Sequence, residues 1–247
     1  MAIRWTTLFL DFGNDDFEAG SQFWSRVTNS HLSPARGEQG EFATLLPAEG
    51  DAYLRVQRLR SGASRCHLDL HLDPADQAPT AARARDLGAT HLTHEPGLDV
   101  FTSPGGFPFC LVPWEGESTV PAAHPLPVLP GPDEPARLDQ LCLDIPPALW
   151  EAETTFWAGL TGWGLKHSAD SEFARLHQPG TLPLKLLLQR LDDPAPAVTA
   201  HPDFAAGERT IAEAHAALGA VVGPVNEHWT VMTDPRGRTY CLTERRP

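Results

Sequence analysis

The chain has 247 residues and a formal charge of −13, with its 32 acidic residues scattered rather than gathered in a tail. A field of that sign repels phosphate backbones and anionic lipid, so neither nucleic acid nor a membrane surface is an expected partner. No apolar run approaches the roughly 20 residues of a membrane span, and the N-terminal stretch turns acidic at once, so a cytoplasmic protein is expected.

In chain order, alternation predicts a first strand over Trp5–Phe12. A helix follows, with Asp15 as its cap and Phe17, Phe23, Trp24 and Val27 on or near one face. Next come a strand over Ala52–Leu59, a strand around His67-x-Asp69, and an Ala-rich helix ending at Leu87-Gly88-Ala89. Glycine there suits the left-handed cap position. A Ser103-Pro-Gly-Gly turn then leads to Cys110-Leu111.

From Leu138 the same order runs again. A strand over Leu138–Ile145 precedes a helix carrying Trp150, Phe156, Trp157 and Leu160, and then a strand over Leu182–Leu191. His201-x-Asp203, Leu218-Gly219-Ala220, Asp234-Pro-Arg-Gly and Cys241-Leu242 repeat the remaining landmarks. Leu10-Asp11 matches Leu143-Asp144, Phe23-Trp24 matches Phe156-Trp157, and Gln57-Arg58 matches Gln189-Arg190. These pairs keep one order and a nearly constant separation, so the chain is a tandem duplication. The stretch 116–135 holds Pro121, Pro125, Pro127, Pro130, Pro132 and Pro135 and reads as a semi-rigid linker between domains at 1–115 and 136–247.

Period-two alternation sorts the side chains by face. Leu8, Leu10 and Phe12 form an apolar set that packs under the helices, which leaves Thr7, Phe9 and Asp11 on the other side. The second copy sets Leu141, Leu143 and Ile145 against Gln140, Cys142 and Asp144. His67, Asp69 and His71 share a face, as do His201 and Asp203, and Pro202 predicts that the latter strand sits at an edge or a bulge. With Cys110 and Cys241 on the last strands, each copy offers one polar sheet face, a plausible wall for a small-molecule pocket. The histidines with Asp69 and Asp203 are the catalytic candidates, imidazole serving as acid, base or recognition group. The alternative is that they are polar features bonded within the sheet.

These segments resemble the vicinal oxygen chelate superfamily, the glyoxalase/bleomycin-resistance/dioxygenase group, and in particular its glyoxalase-like branch in tandem two-domain form. The resemblance implies an α+β fold of paired βαβββ units, each pair forming a half-open curved sheet around a small-molecule site. It also implies metal-ligand positions at Thr7, His67 and Cys110 in the first copy and at Gln140, His201 and Cys241 in the second. Neither copy has the glutamate that metal-dependent members carry on the last strand. The expectation is therefore a protein that binds a small organic molecule without a catalytic metal. The alternatives are a divalent ion at Gln140, His201 and Cys241 serving a glyoxalase I-like lyase, an isomerase or a dioxygenase, or a non-catalytic interaction module. The two domains are expected to pack on each other, with a homodimer left open.

Overall fold

The computed structural model describes residues 2–125, 135–168, 172–207 and 211–247. Residues 126–134 of the proline-rich linker lie outside the described residues. The first repeat runs β1 (Ile3–Phe12), α1 (Phe17–Val27), β2 (His31–Leu32), β3 (Phe42–Leu46), β4 (Leu54–Arg58), β5 (Arg65–Leu72), α2 (Pro74–Asp86), β6 (Thr90–Glu95), β7 (Leu98–Thr102) and β8 (Pro108–Pro113). The second runs β9 (Arg137–Ile145), α3 (Trp150–Thr161), β10 (Gly164–His167), β11 (Phe173–His177), β12 (Lys185–Arg190), β13 (Thr199–Ala205), α4 (Ala212–Ala217), β14 (Val221–Val225), β15 (Trp229–Thr233) and β16 (Thr239–Thr243).

Two open, eight-stranded mixed sheets result, ordered β2-β3-β4-β1-β5-β8-β7-β6 and β10-β11-β12-β9-β13-β16-β15-β14. The orders are identical element for element, so the duplication read in the sequence is a duplication of fold. By packing, the chain forms two compact units, each drawing on both repeats. One comprises Met1–Leu8, Cys66–Ser118 and Leu141–Ala200; the other comprises Phe9–Arg65, Thr119–Gln140 and His201–Pro247.

Each unit ties an indole to a glycine turn through a carboxylate. In the second unit, α1 buries Phe17, Phe23, Trp24 and Val27, the face that its spacing predicts. Trp24 Nε1 donates to Asp234 Oδ2 at 2.8 Å, while Asp234 Oδ1 accepts the backbone N–H groups of Arg236 and Arg238 at 2.8 and 2.9 Å. In the first unit, α3 buries Phe156, Trp157 and Leu160, with Trp150 only half-buried. Trp157 Nε1 donates to Glu153 Oε2 at 2.9 Å, and Glu153 Oε1 accepts the Gly105 N–H at 2.5 Å. The carboxylate comes from the turn in one case and from the helix in the other, but the joint is the same. A buried turn N–H is satisfied, and the indole N–H is not left orphaned in the core.

The predicted glycine caps are present: Gly88 and Gly219 follow α2 and α4 with φ of +96° and +105°, where a Cβ would be strained. Two local expectations are corrected. Asp15 does not cap α1, because a 3-10 turn over Asn14–Asp16 precedes the helix and puts Asp16 at its start. Pro202 does not mark an edge, since β13 lies between β9 and β16. Its effect is local instead. The β5–β8 ladder begins at Leu68 opposite Phe109, whereas the β13–β16 ladder begins one position later, at Asp203 opposite Cys241. Proline at the position of Leu68 has no N–H to give.

Candidate functional site

In the second unit, parallel pairing of β13 with β16 sets Asp203 beside Cys241. His201 lies two residues before Asp203 on the same face of β13, and Gln140 reaches Asp203 from β9. His201, Asp203 and Cys241 each bring one donor atom to within 4.8 Å of the others. Gln140 Nε2 donates to Asp203 Oδ2 at 2.6 Å, and His201 Nε2 stands 3.3 Å from Asp203 Oδ1. Asp203, Cys241 and Gln140 are buried, while the His201 side chain keeps 12% of its surface exposed. Among the described residues, no donor meets Asp203 Oδ1 with hydrogen-bond geometry. A buried carboxylate oxygen in that condition is costly unless a cation or another donor completes it. An imidazole nitrogen, a thiolate and a carboxylate are a fitting donor set for a borderline divalent ion, and three ligands leave positions for substrate.

The first unit holds a counterpart on β5 and β8. Asp69 pairs with Cys110, His67 Nε2 lies 3.7 Å from Asp69 Oδ1, and donor atoms of all three fall within 4.8 Å. The difference lies on β1. Thr7, at the position of Gln140, bonds to His71 instead, its Oγ1 standing 2.9 Å from His71 Nε2. On the other side of that buried imidazole, Nδ1 is 3.5 Å from Glu117 Oε1. Glu117 was not anticipated, because it lies at the start of the proline-rich stretch.

Of the remaining expected wall residues, Phe9 and Asp11 are built into the scaffold. Phe9 meets Phe42 edge-on at 6.4 Å and lies under the Arg55 guanidinium. Asp11 is buried, with Arg65 Nε 3.6 Å from its Oδ2. Cys142 Sγ lies 3.8 Å from Gln189 Oε1, and Asp144 is half-buried. All four cysteines are buried thiols. One further cluster, His91, His94 and Asp99 on the β6–β7 hairpin, escaped the sequence reading altogether.

A tandem of such sheets, with a polar cluster on equivalent strands of each, is the architecture of the vicinal oxygen chelate superfamily. Within it, the chain belongs to the glyoxalase-like domain family, whose model matches residues 7–112 and again 140–243. Solved structures of the same fold include the Mn(II)-bound glyoxalase from Novosphingobium aromaticivorans, at 16% identity and a TM-score of 0.64, covering 98% of this chain and 81% of that one. The 2,2',3-trihydroxybiphenyl 1,2-dioxygenase from Sphingomonas wittichii matches at 16% identity and a TM-score of 0.61, over 96% of this chain and 88% of that one. Homoprotocatechuate 2,3-dioxygenase from Arthrobacter globiformis matches at 16% identity and a TM-score of 0.61, over 98% and 79%. No curated protein matches this sequence at a significant level. Among the described residues, no helix is long and apolar enough to cross a membrane.

Proposed function

We propose that this chain is a metal-dependent glyoxalase-like protein that takes a small organic substrate at the His201–Asp203–Cys241 cluster, as a lyase, isomerase or dioxygenase. The observation that carries the reading is the convergence of His201, Asp203 and Cys241, whose donor atoms lie within 4.8 Å of one another, where the buried Asp203 Oδ1 meets no hydrogen-bond donor among the described residues. The sequence expectation of a metal-free pocket rested on the glutamate missing from the last strand. Asp203, one strand over and in register with Cys241, supplies a carboxylate at that place.

A cation held there would act as a Lewis acid on substrate oxygens. The protein's own groups have separate tasks. Gln140 holds Asp203 Oδ2 and thereby points Oδ1 at His201. His201, the most exposed of the set, presents its imidazole on the side open to incoming substrate. The chemistry named by the Mn(II)-bound glyoxalase and by the dioxygenases of the same fold supports this substrate class.

The test is metal content of the intact chain, purified without chelator and reconstituted in turn with Mn(II), Fe(II), Zn(II) and Ni(II). It is done in a His94→Ala background so that the hairpin cluster contributes nothing. About one equivalent, lost in Asp203→Asn and in Cys241→Ser, is expected. Absence of retained metal with all four ions would refute the reading and leave a metal-free ligand pocket as the better account.

A further inference from the structure

A second cluster of metal-binding side chains lies on the hairpin that ends the first sheet, on elements that the proposed site does not use. β6 pairs with β7 antiparallel, with His91 opposite Phe101, Thr93 opposite Val100 and His94 opposite Asp99. Between His91 and Thr93 the register shifts, leaving Leu92 as an extra residue whose side chain is exposed. Residues three apart on a regular strand face opposite ways, and one inserted residue turns them to the same side. The bulge therefore brings His91 and His94 together over Asp99. His91 Nε2 lies 3.0 Å and His94 Nδ1 2.7 Å from the same oxygen, Asp99 Oδ1.

The supports of this triad are also in place. Asp99 is 5% exposed, and Gln77 on α2 donates to its Oδ2 at 3.4 Å and to the Leu111 carbonyl at 3.1 Å. The His91 ring stacks on Phe101 at 4.4 Å and 21°. His94 keeps 69% of its side chain exposed, so the open side of the cluster faces solvent. Arg85 Nη1 lies 3.5 Å from His91 Nδ1; Arg85 is exposed, and it must turn outward if Nδ1 takes up the proton that Nε2 gives up.

The second repeat supplies an internal control. Its β14–β15 hairpin has a register shift at the same place, between Val222 and Val225, with Val225 opposite Thr230. The bulge thus belongs to the fold, whereas the two imidazoles and the carboxylate belong to the first copy alone. A hairpin that closes with two valines and a threonine does not need His91, His94 and Asp99 to form.

We propose that His91, His94 and Asp99 form a second, separate site for a divalent transition metal, with Zn(II) as the expected ion. Two imidazole nitrogens and a carboxylate oxygen match that ion's preferences, and metal–ligand bonds of about 2.0–2.2 Å need only a few tenths of an ångström of opening from the present spacing. Three protein ligands leave at least one position to water or to a small anion from the solvent side. The proposal is independent of the metal reading of the His201 cluster, and donor chemistry separates the two: only the latter contains a cysteine sulfur.

Co(II) is the probe, added to the full chain after dialysis against chelator. The expected result is a visible d–d spectrum in Cys241→Ser that carries no sulfur-to-cobalt charge-transfer band and disappears when either His94→Ala or His91→Ala is added to Cys241→Ser. Zn(II) should displace it, and affinity for Zn(II) should fall at least about tenfold in His94→Ala, whose exposed side chain the fold does not require. If Cys241→Ser takes up no Co(II), or takes it up equally with and without His94, the second site is overturned while the proposed function stands or falls on its own metal content.

Discussion

Gln140 and Asp203, both buried, share a hydrogen bond of 2.6 Å from the side-chain amide on β9 to the carboxylate on β13. The equivalent β1 residue, Thr7, spends its hydroxyl on His71, so the two repeats diverge at this contact although their strand orders are the same. The second copy thus holds its carboxylate in one orientation by a group that the first copy lacks.

Gln140→Leu should therefore destabilise the protein by about 1–3 kcal/mol, the cost of leaving a buried acceptor without its donor. Equilibrium urea unfolding measures this, at constant m-value. Because the uncompensated group is an anion, added Mn(II) or Zn(II) should recover part of the loss in Gln140→Leu and none in the double variant with Asp203→Asn. Equal recovery in both would show that Asp203 takes no part in cation binding.

Gly105 has no room for a side chain. A Cβ on it would lie 2.5 Å from Val198 Cγ2 and 2.9 Å from Glu153 Oε1. Gly105→Ala should thus force the turn off the carboxylate and cost about 1–3 kcal/mol, as overpacked sites do. Val198→Ala should relieve part of this cost when combined with Gly105→Ala, because it removes the nearest atom. A neutral Gly105→Ala by thermal unfolding would contradict the packing described.

Burial raises the Glu153 carboxyl above its ordinary value, against the lowering effects of hydrogen bonds from Ser103, Gly105 and Trp157. A carboxyl with a raised pKa in the folded state binds its proton more tightly there than in the unfolded chain. Its favourable contribution is complete below the ordinary carboxylate range and is lost as pH rises through the folded value. Stability of the natural protein relative to Glu153→Gln should accordingly improve as pH falls from neutral into mild acid. A difference that stays flat with pH would mean that Glu153 titrates normally.

Much of this architecture was legible in the sequence, and the exceptions have physical reasons. Period-two alternation and the repeat put His67, Asp69, Cys110, His201, Asp203 and Cys241 on matching strands, and parallel pairing then joined each aspartate to its cysteine. The sequence reads Asp203 as a catalytic candidate beside His201; its place next to Cys241 depends on a neighbouring strand, which a single-strand pattern cannot reveal. His91 and His94 were invisible for a different reason, since the bulge at Leu92 breaks the period on which face assignment rests. Glu153 and Asp234 bond to segments far away along the chain, and no local signal marks such partners. Of the two places that Pro202 allows, an edge or a bulge, the edge is excluded, because a parallel strand can lose one rung and remain internal.

His215, on α4, has no exposed surface and lies against Phe204 and Tyr240, with Nδ1 2.9 Å from the Tyr240 hydroxyl. Burial alone pushes its pKa down to about 3 from the ordinary 6.5, so the imidazole stays neutral in the folded protein while the unfolded chain protonates it. With the folded pKa depressed, the unfolded state binds more protons throughout the interval between the two values. The contribution is therefore present above the ordinary value and is lost as pH falls below it. One such group adds a slope of up to about 1.4 kcal/mol per pH unit across that interval. His215→Gln keeps a polar partner for Tyr240 and removes the titration. Unfolding free energies measured from neutral pH down to the onset of acid unfolding should fall more steeply for the natural protein than for His215→Gln, and parallel curves would mean that water reaches this imidazole.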